Sequence, residues 1–429
     1  MYKTIKILLL SVLLMPYKAY AVGEHGQYRW SVQLRGYISP ETGKEPRAFL
    51  WLPENIDTVK AVIMAQQNMT EETLFKMTVF QEEMARLKVG FLWVAPAFTN
   101  TWEPASECRE IFEGMMTDMA HKSEHLEIAR CPIIPFGHSA QATFPWNFAA
   151  WNNDRTLCIL SFHGDAPRTN LCGYGAANVE WGRTRNIDGI PGLMVEGEYE
   201  WWEARVTPAL AFRMMYPESC VSFLCDTGRG HFDCSEETAE YMALFIEKSM
   251  QQRMRDGHLV KVNPREGWLA ERWHETQPSR AAAAPYSEYL GDPHDAFWYF
   301  DREMAEKTEQ RYARDRVLLP QTVSIEYDGK IVTFDEKRHG GMMITLPEGT
   351  QEFKIKALPA TGYMEAISGP VVKCSDKKDK NGYETFRIVP YECGMDNPKR
   401  SFTIWLCAVN PSDGKHKSAV QPIEIKIKK

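Results

Sequence analysis

The segment 135–142, PFGHSAQA, contains the residues most able to do chemistry. A buried strand runs here into a helix through a Gly-x-Ser-x turn, which holds the hydroxyl of Ser139 out at the carboxyl edge of a sheet. The positive end of the next helix lies beside that hydroxyl. We therefore predict that Ser139 is a nucleophile and that the main-chain N–H of Ala140 binds the oxyanion that forms when it attacks a carbonyl.

The other two groups of a Ser–acid–His triad follow later in the chain. His231 lies in the Gly-rich segment 226–232, DTGRGHF, where it could accept the Ser139 proton and return it to a leaving alcohol. The segment 194–200, MVEGEYE, ends a predicted strand and offers Glu200 as the acid that orients the imidazole. Three rival acids remain open: Glu198, which is the main one, Glu203 and Asp226.

An oxyanion hole needs a second N–H donor. We expect it from the main chain of Gln67, with Asn68 assisting, because the segment QQN follows a buried strand. Aromatic faces pack on sugar rings and guanidinium groups bind carboxylates through two hydrogen bonds, so such residues near the same sheet edge favour an acidic sugar polymer. The predicted substrate-binding residues are Trp102, His163, Arg168, Trp201 and Arg229.

Short apolar runs alternate with helix-length segments from about residue 28 to 252, which predicts a mostly parallel sheet with crossover helices. Residues 253–320 are of mixed character and include a helix-like stretch at 295–316. From residue 322 onward, short alternating strands separated by turn residues predict a β-sandwich. The predicted helices in the first part are a helix opening near 70, 111–130, 140–151 and 235–252.

The Ser–Glu–His order on this strand and helix pattern resembles the α/β-hydrolase superfamily over roughly residues 48–252. One departure is Gln141, at the position of the serine motif that is usually glycine. The resemblance implies an α/β-hydrolase fold, a mostly parallel sheet flanked by helices, followed by a C-terminal β-sandwich domain. The predicted division is a signal peptide at 1–21, a catalytic domain at 22–252, a connector packed on it at 253–320, and an Ig-like β-sandwich at 321–429.

The first 21 residues predict a cleaved signal peptide. Lys3 and Lys6 precede an apolar run at 7–15 that is too short to span a bilayer, and Ala19-Tyr20-Ala21 is a small-x-small cleavage site. We therefore expect a periplasmic or extracellular protein without a membrane anchor. Some of the ten cysteines could pair in that compartment, although Cys131, Cys158 and Cys225 lie in or beside strand-like runs typical of buried thiols.

Composition and charge narrow the classes of protein further. The chain has 429 residues, of which 44% are hydrophobic, and this apolar content excludes a disordered chain. The formal charge is −7, and cleavage of the signal peptide with its three lysines takes it to −10. A field this acidic argues against nucleic acid as a partner.

The predicted secretion, the triad order and the trailing sandwich are similar to those of the carbohydrate esterases in gut-bacterial polysaccharide-utilisation systems. The segments 65–68, AQQN, and 295–301, DAFWYFD, carry the likeness, which is greatest for the pectin methylesterase type acting on rhamnogalacturonan-II. The resemblance implies a serine esterase that needs no metal or cofactor, acts on a polysaccharide or oligosaccharide, and is a monomer. An acetyl or feruloyl esterase acting on hemicellulose and a catalytically silent glycan-binding protein are the alternatives.

Overall fold

The computed structural model describes residues 27–99, 102, 107–169, 181, 186–200, 202–274, 281–312, 323–333, 342–375, 377–391, 393–395, 398, 401–408 and 421–428. The predicted signal peptide, Trp201 and most of the loop at 165–188 lie outside these residues. Within the described ranges, no helix combines the length and the apolar character needed to cross a bilayer.

One eight-stranded sheet organises the first half of the chain. Its strands are β1 (Trp30–Gln33), β2 (Arg47–Trp51), β3 (Ala61–Gln66), β4 (Val89–Ala95), β5 (Ile133–His138), β6 (Ile159–Phe162), β7 (Pro191–Gly197) and β8 (Cys220–Asp226). They lie in the order β1-β2-β4-β3-β5-β6-β7-β8. Strand β2 is antiparallel to both of its neighbours, β1 and β4, whereas β3 to β8 are parallel to one another. The predicted α/β-hydrolase fold is therefore confirmed.

Helices cover both faces of this sheet, so its strands are buried on both sides. The helices are α1 (Glu71–Lys76), α2 (Thr78–Leu87), α3 (Cys108–Ser123), α4 (Thr143–Trp151), α5 (Trp202–Met215) and α6 (Glu236–Arg253). Successive residues of β3 alternate between two hydrophobic clusters, with Ile63 in one and Met64 in the other. The helix predicted at 111–130 instead ends at Ser123 and is followed by a separate turn of 3₁₀ helix.

The connector continues the core of the first domain. It comprises β9 (Met254–Arg255), β10 (His258–Leu259), β11 (Trp268–Glu271), β12 (Ala284–Pro285), β13 (Ala296–Tyr299) and α7 (Arg302–Tyr312). The predicted helix at 295–316 was wrong in its first turn, because the sequence AFWY, rich in aromatic residues, forms β13 beside β11. Tyr299 donates a hydrogen bond to the carbonyl of Phe223 at 2.6 Å, so the connector packs on β8.

The C-terminal part is a β-sandwich. Its strands are β14 (Ser324–Tyr327), β15 (Lys330–Val332), β16 (Met342–Leu346), β17 (Glu352–Leu358), β18 (Gly362–Ile367), β19 (Val371–Lys373), β20 (Glu384–Ile388), β21 (Ser401–Ala408) and β22 (Gln421–Ile427). They form a five-stranded sheet, β15-β14-β17-β20-β19, and a four-stranded sheet, β16-β22-β21-β18. A separate hydrophobic core lies within the sandwich.

Within the described ranges, Cys131, Cys158, Cys220, Cys374 and Cys393 are free thiols. Cys131, Cys158 and Cys225 are buried, as the sequence predicted.

Candidate active site

The turn after β5 holds Ser139 in a strained conformation. Its φ is +54°, a left-handed value that is uncommon for residues other than glycine. The turn is also tightly packed, since a Cβ on Gly137 would lie 2.1 Å from the carbonyl oxygen of Gln141. Gln141 itself is accommodated, because the close approach to β6 falls one residue later, where Ala142 meets Gly164.

The predicted triad residues come together at the carboxyl edge of the sheet. His231 Nε2 lies 2.8 Å from Ser139 Oγ, and His231 Nδ1 lies 2.5 Å from Glu200 Oε2. Because a carboxylate only accepts, Nδ1 carries the imidazole proton and leaves Nε2 free to accept the serine proton. Ser139 and His231 are partly exposed, whereas the Glu200 side chain is 2% exposed.

The rival acids have other partners. Glu198 accepts the main-chain N–H of Gly228 at 2.7 Å and so helps to shape the loop that carries His231. Asp226 is bound by Arg311 and accepts a hydrogen bond from Thr238 at 2.6 Å. Glu203 is exposed on α5. In this geometry, Glu200 is the carboxylate that meets His231.

Four donors surround the Glu200 carboxylate. Oε1 contacts His163 Nδ1 and accepts the N–H of Gly197 at 2.5 Å, while Oε2 accepts from His231 and, at 2.9 Å, from Arg205. Burial alone would raise the pKa of Glu200, but His163 and His231 outweigh it and hold this pKa well below its ordinary value. Glu200 is therefore ionised and suited to stabilise an imidazolium at position 231.

Sequence reasoning missed a buried charge cluster beneath the triad. Arg205 is 3% exposed and donates to Glu196 Oε2 at 2.6 Å as well as to Glu200. Burial raises the pKa of Glu196 well above its ordinary value, despite the neighbouring guanidinium of Arg205. Within this pair, the ionised form is therefore favoured more on Glu200 than on Glu196. The position of Glu196 on β7, four residues before Glu200, was the signal in the sequence for this cluster.

The expectation for Gln67 was wrong. Its main-chain N–H donates to the carbonyl of Val94 at 2.7 Å and so extends the pairing of β3 with β4 instead of facing an oxyanion. The side-chain amide of the next residue, Asn68, donates to the carbonyl of His138 at 2.8 Å, which holds this loop beside the residue before the nucleophile. Ala140 follows Ser139 in a turn of 3₁₀ helix, and the α-helix predicted at 140–151 begins at Thr143. Asn68 and Ala140 are thus the candidate oxyanion donors.

Glu71, at the start of α1, joins the Asn68 loop to the serine turn. Its carboxyl accepts the N–H of His138 at 2.8 Å and that of Met69 at 3.1 Å. Burial raises the pKa of Glu71 to about 8, although these main-chain hydrogen bonds oppose the shift. No pattern in the sequence indicates this role, because acidic residues are common in the first turn of a helix.

Two of the residues predicted to bind substrate do not reach the surface. Trp102 is 1% exposed and packs edge to face against Phe112 and Phe148, so it belongs to the core between the sheet and α3. His163 follows β6 at the correct edge but is completely buried against Glu200, so it supports the acid instead of lining a pocket.

The two predicted arginines that the structure describes are half-buried. Arg168 donates to the Tyr216 hydroxyl and its guanidinium lies 5.8 Å from the ring centre of Trp181. Arg229 lies in the His231 loop, with Nη1 3.4 Å from Asp233 Oδ1. Their contact with substrate stays a prediction, as does that of Trp201, which lies outside the described residues.

The fold is similar to that of solved hydrolases, each matching about half of this chain. An S-formylglutathione hydrolase from Staphylococcus aureus has 14% identity and a TM-score of 0.36 over 51% of this chain and 97% of its own. Est1E from Butyrivibrio proteoclasticus has 17% identity and a TM-score of 0.33 over 52% and 99%. A poly(3-hydroxybutyrate) depolymerase from Bordetella parapertussis has 12% identity and a TM-score of 0.36 over 55% and 92%. No family model and no curated protein matches the chain.

Two groups of side chains in the described ranges have the composition of a metal site. The first is the trio His163, Glu200 and His231, whose facing atoms already hydrogen bond to one another. The second is Glu271, His274 and Asp295, where Arg272 binds Asp295 at 2.6 Å and offsets its charge. The triad geometry therefore explains the first group without a metal.

Proposed function

We propose that this protein is a secreted serine esterase that removes the methyl ester from galacturonate in complex pectin of the rhamnogalacturonan-II type. The observation that carries the hydrolase part is the line of contacts from Ser139 through His231 to Glu200, at 2.8 and 2.5 Å. Such a line converts a neutral hydroxyl into a nucleophile at the moment of attack.

The first half of the reaction makes an acyl-enzyme. Ser139 Oγ attacks the ester carbonyl while its proton passes to His231 Nε2, and the Glu200 carboxylate stabilises the imidazolium. We assign the oxyanion to the main-chain N–H of Ala140, the residue after the nucleophile, with Asn68 assisting. When the tetrahedral intermediate collapses, His231 returns the proton to the methoxy oxygen, and methanol leaves.

The second half repeats these steps with water. His231 removes a proton from a water molecule, whose oxygen attacks the acyl carbon, and the intermediate collapses to return the proton to Ser139 Oγ. The product is a free galacturonate carboxyl group, which ionises at neutral pH. All of these proton transfers use groups that the structure brings together.

The proposed substrate and location rest on observations other than the triad contacts. The likeness of segments 65–68 and 295–301 to carbohydrate esterases favours a glycan, and the predicted signal peptide favours a periplasmic or extracellular site. Arg229, in the loop that carries His231, is suited to the carboxylate of a neighbouring uronate. The product carboxylate would leave a site with several acidic groups beneath it.

The first test replaces the nucleophile. Ser139→Ala should lower kcat by roughly 10³- to 10⁶-fold while leaving the melting temperature within a few degrees, because the hydroxyl accounts for chemistry rather than packing. Rates are measured on a small activated ester, and labelling by a fluorophosphonate probe is followed in parallel. A variant that keeps near-normal rates contradicts the serine mechanism. A wild-type protein that neither reacts nor labels, but binds pectic oligosaccharides, is a glycan-binding protein.

The second test identifies the ester. Methanol and acetate release are measured from defined methylated and acetylated pectic oligosaccharides, with feruloylated xylan fragments as a third substrate. The proposal expects methanol from the methylated pectic substrate and no product in the Ser139→Ala control. Acetate or ferulate release without methanol would replace methyl ester by those esters and leave the triad assignment intact.

A further inference from the structure

Trp405 points away from the sandwich to which it belongs. Along β21, Ile404 and Leu406 face the sandwich core, and the two-residue period of a strand turns Trp405 to the opposite face. There Trp405 is 1% exposed and packs in a small cluster with residues of the first domain, among them Met69 and Phe232. This indole is therefore buried between the two domains.

The indole contacts the loop that carries the catalytic base. Its ring stacks on Phe232, with centroids 5.6 Å apart and planes inclined by 27°. Phe232 in turn packs edge to face against His231, with centroids 4.8 Å apart. Phe232 is thus held between the imidazole and a side chain from the sandwich.

The same indole contacts the helix that supports the serine turn. Trp405 Nε1 donates to Thr73 Oγ1 on α1 at 2.8 Å. Two residues earlier on α1, Glu71 accepts the N–H of His138, which directly precedes Ser139. Trp405 therefore contacts two parts of the first domain. It packs on Phe232 in the loop that carries His231, and it hydrogen bonds to α1, which supports the serine turn.

Three other hydrogen bonds fix α1 against the sandwich, so the indole has a rigid frame. Glu72 is 1% exposed and accepts the N–H of Gly369 at 2.6 Å and the hydroxyl of Tyr391 at 2.8 Å. Lys76 donates to the carbonyl of Gly369. With α1 anchored in this way, the position of Trp405 determines how much room Phe232 and the His231 loop have.

Resting on the function proposed above, we propose that Trp405 is a positioning residue that holds His231 within hydrogen-bond reach of Ser139. Proton transfer requires the two atoms at about 2.6–3.2 Å, and an error of about 1 Å can cost roughly 100-fold in rate. Removal of the indole leaves space beside Phe232, into which the base loop can relax. The C-terminal sandwich is then part of the catalytic unit, not an independent appendage.

The experiment compares three variants of the full chain with a control. Trp405→Leu removes both contacts, Trp405→Phe keeps an aromatic ring but not the N–H donor, and Thr73→Val removes only the acceptor on α1. The control is Phe386→Leu, because Phe386 is buried in the sandwich core and stacks on Phe353, so its loss destabilises the same domain at a distance from Trp405. Melting temperatures, kcat and KM on a small activated ester, and the rate constant for fluorophosphonate labelling are measured for each.

We expect Trp405→Leu to lower kcat and the labelling rate by about 10-fold or more with KM within about twofold, since it displaces the base and not the substrate. Trp405→Phe should recover part of that loss. Phe386→Leu should keep wild-type rates although its melting temperature is similar to that of Trp405→Leu. Should Trp405→Leu fail to fold, Trp405→Phe and Thr73→Val still decide, and wild-type kinetics in both contradict the proposal. Equal loss of rate in Phe386→Leu also overturns it.

The outcome for the wild-type protein separates the two proposals. A wild-type chain that labels and turns over the small ester, with unaffected Trp405 variants, leaves the esterase in place and removes only the positioning role. A wild-type chain that does neither removes the esterase itself.

Discussion

At the scale of single residues, the site differs from a simple triad because its acid serves two imidazoles. Glu200 contacts His231 through one oxygen and His163 through the other. A buried carboxylate with both oxygens engaged cannot rotate without losing hydrogen bonds, and each such bond to a charged group contributes about 1.5–3 kcal/mol. His163 therefore fixes the orientation from which Glu200 holds the base.

Replacement of Glu200 by Gln should lower kcat by about 10³- to 10⁴-fold, because the amide no longer enforces the reactive imidazole tautomer or stabilises its cation. Glu198→Gln is the matched control, since its side-chain oxygen can still accept the N–H of Gly228. Both variants are assayed on the same small ester, with melting temperatures recorded. Comparable losses in the two variants would mean that Glu200 has no special part in the chemistry.

The pH dependence of kcat/KM gives a second test of Glu200. Burial lowers the pKa of His231, Glu200 opposes that shift, and the nearby His163 and Arg205 add to it, with His138 also alongside the ring. The base must be neutral to act, so kcat/KM should rise with pH through a midpoint below the ordinary histidine value of about 6.5. In Glu200→Gln the opposing carboxylate is gone, and the midpoint should move further down. An upward shift would contradict this account.

These residues also show what a sequence can predict. Ser139, Glu200 and His231 each follow a strand whose carboxyl end has a recognisable pattern, and the parallel sheet brings such ends together. The prediction for Gln67 was wrong because the direction of its main-chain N–H depends on the pairing of β3 with β4, which cannot be deduced from the side chains. Trp102 was wrong because its burial depends on where α3 packs, a tertiary feature.

At the scale of elements, the fit between the serine turn and the following helix depends on the absence of a side chain at Gly137. We expect Gly137→Ala to destabilise the protein by about 1–3 kcal/mol or to make it insoluble, because the new Cβ would lie 2.1 Å from a main-chain oxygen that cannot move freely. Unfolding is followed in urea together with the labelling rate of Ser139.

Gly114 provides the comparison for that variant. It lies within α3, and a Cβ there would meet nothing within 4 Å. Gly114→Ala should therefore leave stability unchanged or raise it by up to about 1 kcal/mol, as expected for alanine in a helix. If both glycine variants behaved alike, the close packing of the serine turn would not explain why glycine occupies position 137.

The element boundaries that sequence reasoning missed share a physical cause. The sequence of β13 is easily taken for part of a helix, because four consecutive buried residues show neither a helical nor a strand periodicity. Only pairing with β11 selects the extended conformation. The six-residue α1 begins at Glu71, as predicted, but it is too short to be stable alone and depends on contacts with distant segments. Those contacts come from segments about 70 and 300 residues away in the chain.

At the scale of the whole molecule, the two domains are joined by buried polar groups as well as apolar ones. Tyr391, which follows the last strand of the five-stranded sheet, packs on Tyr28 and Phe49 at the start of the first domain. Its hydroxyl donates to the buried carboxyl of Glu72 at 2.8 Å. A polar contact buried at this depth is costly to break, so the domains should unfold together.

Tyr391→Phe tests that coupling. The variant keeps the ring but takes one donor from Glu72, so we expect a loss of about 1–3 kcal/mol and the appearance of two transitions in calorimetry where the wild type has one. Tyr383→Phe is the control, because Tyr383 donates to Glu326 at 2.7 Å within the sandwich and near its surface, where a change of about 0.5 kcal/mol or less is expected. Equal effects of the two substitutions, with a single transition in both, would show that the Glu72 contact does not couple the domains. A larger loss in Tyr391→Phe alone would place the coupling at α1, the helix that also supports the serine turn.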